Sequence, residues 1–236
     1  MIKMFETTWF GINFNSFSEL NSSKQANESF YDLFYQAFYK KFHSYDELPK
    51  AWKEQKSSLA TFIHSHIKSK TSILSIGSGN GYIENELSKI YNGTITALEP
   101  SKTASLWLKS NPKVTLINGY FPDALHQNNQ FKFAYMSYTD YVFDDTSYVN
   151  ILKTIKNYPI DEFLLVGASM YDPSPKFCMK YFIRLVLIQL GFLKKQLWGY
   201  QRTLKEHTDI FQKAGYRNLQ SGQLADGTYW IKATNE

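Results

Sequence analysis

A glycine-rich junction between two apolar runs constrains the fold of this chain more than any other segment. Residues 73–99 read ILSIGSGNGYIENELSKIYNGTITALE, where one apolar run ends at Gly77, Gly79 and Gly81 and a second ends at Glu99. Glycine allows a tight turn and a close approach of the backbone to a ligand. A strand that enters such a turn and leaves as a helix directs free N–H groups at that ligand, and an acidic residue about 20 positions further on suits the hydroxyls of a ribose. The segment therefore predicts a strand–turn–helix–strand unit that binds a nucleoside-containing cofactor.

The spacing of the glycines distinguishes between kinds of cofactor. The dinucleotide fingerprint needs Gly or Ala at the sixth position, where this chain has Tyr82, and a Walker loop needs a lysine that is missing here. The pattern hydrophobic-Gly77-Ser-Gly79-Asn-Gly81 instead resembles the first motif of class I S-adenosylmethionine-dependent methyltransferases. The ending LKEHTDIFQKAGYRNLQSGQLADGTYWIKAT resembles the last helix and hairpin of that family, so the resemblance covers roughly residues 70–236.

From residue 72 onward, strands alternate with helical segments, which is typical of a parallel, doubly wound sheet. Strands are predicted at 72–76, 94–99, 113–118, 131–137 and 162–168, helices near 80–91, 101–109, 146–157 and 203–214, and closing strands near 217–223 and 228–234. Asp226-Gly227 between the closing strands is a hairpin signal. We therefore predict an α/β fold with a mostly parallel seven-stranded sheet and a C-terminal antiparallel hairpin.

The first 70 residues are predicted to form a helical cap. Phenylalanines recur at every fourth position from Phe30 to Phe42, which gives one aromatic face and favours core packing, although the face is also placed to roof a pocket. Residues 21–23 are candidate helix caps, and a second helix is predicted from about Pro49. The division is thus a cap at 1–70 and a cofactor-binding domain at 71–236, with an insertion at 170–200.

The insertion is strongly apolar between Phe177 and Leu193, but Lys180 and Arg184 interrupt it, so it is too polar to span a membrane. A lid packed on the domain is the favoured interpretation. An interfacial helix that meets a membrane surface, with Lys194 at its end, stays open.

Composition limits the partners and the compartment. The net charge is +5, and the basic residues are scattered, whereas nucleic-acid binders usually concentrate them, so DNA is excluded and RNA is disfavoured as a partner. The single cysteine, Cys178, excludes an internal disulfide, and no metal site is predicted. The N-terminal residues lack the pattern of a signal peptide, and a cytoplasmic protein is expected.

The resemblance implies S-adenosylmethionine as cofactor, S-adenosylhomocysteine as product, and a set of site residues. The residues expected to bind the cofactor are Gly77, Ser78, Gly79, Asn80, Gly81, Glu99, Pro100, Gly119, Tyr120, Phe121, Ser137 and Tyr138. Where many relatives have a catalytic histidine this chain has Val142, so the candidate catalytic residues are His207, Tyr138 and Asp140. Candidates for binding the acceptor are Tyr141, Tyr171, Tyr200 and Arg202, and the arginine would suit a carboxylate or phosphate on the acceptor.

The sequence therefore predicts transfer of a methyl group to an oxygen, less readily a nitrogen, of a small-molecule acceptor. Two alternatives stay open: an RNA methyltransferase, and a non-catalytic module that keeps the cofactor fold. The sequence leaves the acceptor and the oligomeric state open.

Overall fold

The computed structural model describes residues 1–68, 71–125 and 130–235. Its strands are β1 (Ile2–Glu6), β2 (Thr8–Trp9), β3 (Ile12–Asn13), β4 (Ile73–Ile76), β5 (Ile95–Glu99), β6 (Val114–Asn118), β7 (Phe133–Ser137), β8 (Glu162–Val166), β9 (Gln196–Gln201), β10 (Asn218–Gln223) and β11 (Tyr229–Thr234). Its helices are α1 (Glu28–Lys41), α2 (Lys50–His66), α3 (Tyr82–Ile90), α4 (Asp145–Asn157), α5 (Pro175–Gln189) and α6 (Leu204–Lys213). The predicted boundary between cap and domain, at residue 70, lies outside the described residues.

Seven strands form the central sheet, in the order β10-β11-β8-β7-β4-β5-β6. Strands β4 to β8 are parallel, while β11 pairs antiparallel with both β8 and β10. The chain moves outward from β4 through β5 to β6, and then returns to the other side of β4 with β7 and β8. This arrangement creates a crevice at the carboxyl ends of β4 and β7, where ligands bind in open α/β sheets. The prediction of an α/β seven-stranded sheet with a C-terminal hairpin is confirmed.

Helices cover both faces of the sheet. On one face, α2 and α3 bury Leu59, Ile63 and Leu87, and on the other, α4 and α6 bury Leu152 and Phe211. Because parallel strands are covered on both sides, they are apolar throughout rather than alternating.

The N-terminal residues pack as an aromatic layer above the carboxyl ends of the parallel strands. Phe30, Phe34 and Phe38 of α1 are buried, as core packing requires. Trp198 of β9 stacks on Phe14 with ring centroids 5.0 Å apart, so the insertion and the N-terminal segment share one core. Among the described residues, no helix is long and apolar enough to cross a membrane.

The prediction that residues 1–70 are helical is wrong for the first 13 residues. They form β1 and a small β2–β3 hairpin, and β1 pairs antiparallel with β9. The partner of β1 comes from the insertion almost 200 residues away, so local periodicity carries no signal of the pairing. The first helix also begins later than predicted: Asn27 caps α1, while the Asn21 side chain accepts hydrogen bonds from Ser23 and Lys24 in a turn.

The helix predicted over 101–109 is also absent, since the segment forms turns and one short 3₁₀ helix at Trp107–Ser110. The Ser101 hydroxyl donates a hydrogen bond to Asp32 of α1 and accepts one from the Ala104 N–H at 3.0 Å. These bonds satisfy the backbone locally, and the ring of Trp107 packs edge-on against Tyr39 of α1. Contacts with the cap therefore replace the expected helix.

Candidate functional site

A cavity of about 940 Å³ lies between the carboxyl ends of the parallel strands and the aromatic layer. The predicted site residues that line it are Gly77, Ser78, Gly79, Asn80, Glu99, Pro100, Gly119, Tyr120, Phe121, Ser137, Tyr138 and Tyr141. These residues come from four neighbouring strand ends, which meet at one edge because the strands are parallel. Five other predicted residues lie outside the lining: Gly81, Asp140, Tyr171, Tyr200 and Arg202; His207 lies outside it as well.

The glycines after β4 have two different roles. Gly77 has φ +77°, and a Cβ there would approach the Thr139 side chain to 2.6 Å, so the backbone is held close to β7 at the cavity wall. Gly81 has φ +75° and occupies the N-cap of α3, where a Cβ would lie 2.7 Å from Leu108. The first glycine therefore keeps the cavity wall thin, while Gly81 allows α3 to pack.

Glu99 closes the glycine loop from the end of the adjacent strand. Its Oε2 accepts a hydrogen bond from the Gly79 N–H at 2.8 Å, and its Oε1 accepts one from the Ser101 N–H at 3.0 Å. Burial raises the pKa of this carboxyl group to about 7, although both hydrogen bonds act in the opposite direction. Each oxygen still has a free lone pair directed by this fixed geometry.

The lining also contains polar atoms that lack partners. The hydroxyls of Ser78 and Ser137 are buried and make no hydrogen bond to any described residue. Buried hydroxyls are normally hydrogen-bonded. Together with the glycine cradle and the Glu99 carboxylate, they fit a ligand that combines a ribose with further polar groups, as S-adenosylmethionine does.

Lys56 of α2 is a site residue that the sequence analysis missed. It is 9% exposed, and among the described residues that line the cavity it is the one cationic side chain. Its Nζ lies 3.2 Å from the centroid of the Tyr138 ring and 5.7 Å from that of Trp52, and in the described chain no hydrogen bond or ion pair holds it. Burial lowers the pKa of Lys56 to about 7, although the carboxylate of Asp226 acts in the opposite direction.

The helical spacing contains a signal for this lysine. Lys56 precedes Leu59 by three positions and Ile63 by seven, which places it on the same helix face as these two fully buried residues. A lysine on the apolar face of a helix is uncommon, because burial of its charge is costly.

The part of the cavity beneath the cap is aromatic. We call the side chains of Trp9, Tyr31, Tyr141 and Trp198 the aromatic chamber; all four line the cavity. Tyr141 stacks on Trp198 with ring planes 9° apart, and the hydroxyls of Tyr31 and Tyr141 are 3.1 Å apart. Burial raises the pKa of both tyrosines well above the ordinary value. The chamber is thus shaped for a flat apolar group, with two neutral hydroxyls on its wall.

Asp140 and His207 are buried together outside the cavity lining. The Asp140 Oδ2 accepts a hydrogen bond from the Ser169 N–H at 2.9 Å and lies 3.7 Å from the His207 Nε2. Burial raises the pKa of Asp140 to about 6 and lowers that of His207 to about 4. Since these side chains do not face the cavity, we leave both out of the proposed catalytic groups.

The third candidate catalytic residue, Tyr138, lines the cavity, but its hydroxyl pairs with the Thr228 hydroxyl at 3.2 Å. Burial raises its pKa. Its ring supports the Lys56 ammonium, so its geometry fits a positioning role rather than proton transfer.

The candidate acceptor residues at the insertion also point elsewhere. Arg202 is fully buried, with its Nε 2.9 Å from an Asp145 carboxylate oxygen and one terminal nitrogen 2.7 Å from the Phe143 carbonyl oxygen. Tyr171 stacks on Phe177 at the start of α5. Tyr200 lies in β9 opposite Lys3 of β1. These contacts tie the insertion to the domain.

No known family profile matches the sequence, and no curated protein matches it. Solved structures do resemble the fold. Human N-acetylserotonin methyltransferase in complex with S-adenosylmethionine is 15% identical with a TM-score of 0.60, over 89% of this chain and 56% of the human one. A candidate O-methyltransferase of Nostoc punctiforme is 13% identical with a TM-score of 0.65, over 94% of this chain and 66% of the other. The mitomycin 7-O-methyltransferase MmcR is 15% identical with a TM-score of 0.62, over 91% and 62%.

This chain thus spans between 56% and 66% of the length of these neighbours. The same sheet order, the glycine loop after β4 and the acidic end of β5 occur here in a chain of low sequence identity. The fold of this protein is that of the class I S-adenosylmethionine-dependent methyltransferases.

Proposed function

We propose that the protein uses S-adenosylmethionine to methylate an oxygen, less readily a nitrogen, of a small molecule and releases S-adenosylhomocysteine. The observation that carries the proposal is the Glu99 carboxylate bonded to the Gly79 N–H at 2.8 Å on the wall of the large cavity. Ligand cavities range from roughly 300 to 1,000 Å³. A cavity of about 940 Å³ has room for a cofactor and an acceptor together.

We assign the free lone pairs of Glu99 to the two ribose hydroxyls. The unpartnered hydroxyls of Ser78 and Ser137 suit the polar groups of the methionine portion. Tyr120 and Phe121, after β6, lie on the adenine side of Glu99 and offer ring surface in place of an acidic contact.

Lys56 is assigned to the methionine carboxylate. Its ammonium is unpaired and borders the cavity near the end of β7. A charge-assisted hydrogen bond to a carboxylate would satisfy it and offset part of its burial.

The bound cofactor supplies a methyl group that is already activated for displacement. The chain's own contribution is to hold the acceptor in line with that methyl group and to exclude water, which can account for much of a rate enhancement. The aromatic chamber suits a flat acceptor, and the neutral hydroxyls of Tyr31 and Tyr141 can hydrogen-bond an acceptor oxygen. Transfer to oxygen is also favoured by the solved structures of similar fold, several of which are O-methyltransferases.

Calorimetric titration with S-adenosylmethionine and S-adenosylhomocysteine tests the proposal. Glu99→Gln should weaken binding by about 10- to 100-fold, since it removes charge-assisted acceptors. Glu54→Gln, a substitution at an exposed carboxylate of α2, should change nothing. A folded wild type that binds neither ligand would overturn the proposal. Transfer of a labelled methyl group to phenols, with structured RNA in parallel, then identifies the acceptor class.

A further inference from the structure

The insertion helix α5 leaves one apolar face uncovered. Five large apolar side chains on α5 and the turn after it have exposed fractions between 51% and 74%: Met179, Phe182, Ile183, Leu190 and Phe192. No residue of α5 is fully buried, and none lines the cavity. The helix therefore does not act as a packed lid in this structure, and its apolar face needs another explanation.

The opposite face of α5 is the one that holds it to the protein. The Tyr181 hydroxyl accepts a hydrogen bond from the Lys3 N–H at 2.9 Å, and Arg184 donates one to the Phe5 carbonyl. At 100° per residue, Met179, Ile183 and Leu190 fall on the side of the helix away from these contacts. The protein thus fixes the helix with its apolar side outward.

Positive charge surrounds this face. Lys176 and Lys180 border the apolar stripe by helical spacing, and Lys194 and Lys195 follow the turn. The sequence holds no Asp or Glu from residue 173 to residue 205. Apolar side chains between lysines, without any carboxylate, are the pattern of a helix that lies in the interface of an anionic bilayer.

We propose that α5 docks this protein on an anionic lipid surface. A second copy of the chain fits the same face poorly, because self-pairing would bring two lysine-rich borders together with no carboxylate between them. Anionic headgroups satisfy the lysines while the acyl boundary takes the apolar side chains. Both ends of the insertion, at Met170 and Trp198, line the cavity, so this contact would hold the cavity beside the bilayer surface. The proposal does not depend on methyl transfer.

Co-sedimentation of the full chain with vesicles tests the proposal. The vesicles are phosphatidylcholine alone or phosphatidylcholine with about one third phosphatidylglycerol. The wild type should bind the anionic vesicles, release them at high salt, and ignore the neutral ones. Phe182→Gln/Phe192→Gln should abolish binding, and Lys176→Gln/Lys180→Gln should weaken it by about fivefold per lysine.

The matched control is Leu33→Gln/Leu106→Gln, which replaces two exposed apolar residues elsewhere and should bind like the wild type. All variants change exposed side chains, so an unchanged thermal midpoint checks that they are folded. The proposal is overturned if the wild type does not bind anionic vesicles, or if the Phe182/Phe192 variant binds them equally well. A wild-type dimer that the same variant converts to a monomer would also overturn it, in favour of self-association.

Discussion

Replacing Lys56 with methionine should make the protein more stable and weaken its binding of the cofactor. In the fold the pKa of Lys56 is lowered from 10.5 to about 7 by burial. One pKa unit equals about 1.4 kcal/mol, so the buried charge costs on the order of 4 kcal/mol. The Tyr138 ring, which is 3.2 Å from Nζ, returns about 2 kcal/mol of this as a desolvated cation–π contact. Methionine fills a similar volume without a charge, so we expect Lys56→Met to raise the free energy of unfolding by about 2 kcal/mol.

The gain in stability should depend on pH in a defined direction. The unfolded chain keeps the Lys56 proton up to about pH 10.5, while the folded chain releases it near pH 7. Stability of the wild type therefore rises between these two values, and the burial cost is complete only below the lower one. The difference between Lys56→Met and wild type should be largest near pH 6 and should shrink as the pH rises towards 10.

Binding should change in the opposite sense, because the proposed contact with the methionine carboxylate is lost. A charge-assisted hydrogen bond contributes about 1.5–3 kcal/mol, which corresponds to a loss of roughly 10- to 100-fold in affinity for S-adenosylmethionine. Decarboxylated S-adenosylmethionine lacks only the carboxylate, so its affinity should be nearly the same for both proteins.

Urea unfolding at pH 6 and pH 9 and calorimetric titration of both ligands measure these changes. Lys50→Met, at an exposed lysine of the same helix, is the control for the loss of a positive charge, and Lys56→Arg should retain most of the affinity. A variant less stable than wild type at pH 6 would refute the burial argument. An equal loss of affinity for both ligands would refute the contact with the carboxylate.

Three further predictions concern other residues. The affinity for S-adenosylhomocysteine should fall below about pH 7 as Glu99 is protonated, and Glu99→Gln should remove this limb of the pH profile; a flat wild-type titration would contradict it. Gly81→Ala should lower the free energy of unfolding by about 1–3 kcal/mol in urea, because φ is +75° and the new Cβ meets Leu108; an unchanged midpoint would show that the loop relaxes. Arg202→Met should cost about 3 kcal/mol by leaving the Phe143 carbonyl unpaired, with the affinity of the folded protein unchanged; a selective loss of affinity would instead place Arg202 in the site.

The central sheet could be predicted because its signals are local. Each parallel strand is an apolar run, and glycine or asparagine marks the point at which it stops. Residues 73–99 alone determine β4, the glycine loop, α3 and β5, and Glu99 stands at the strand end where the topology needs an acidic residue. No contact from a distant part of the chain is required for these assignments.

The elements that could not be predicted depend on distant contacts. The pairing of β1 with β9 joins the two ends of the chain, and the turns around Ser101 depend on its hydrogen bond to Asp32 in α1. Arg202 has the composition of a ligand-binding residue, but its carboxylate and carbonyl partners come from α4 and the segment before it. A sequence shows the type of such a residue, whereas only the packed fold shows what its charge contacts.

The titratable groups of the cavity limit how the acceptor loses its proton. Burial keeps Tyr31 and Tyr141 protonated at neutral pH, so they can bind an acceptor oxygen but cannot act as bases. Asp140 and His207 lie outside the lining. Among the described residues of the cavity, Lys56 and Glu99 titrate near neutrality, and both are assigned to the cofactor. The proposed reaction therefore relies on proximity, and it favours acceptors whose hydroxyl is already acidic, such as phenols, over aliphatic alcohols that need a strong base.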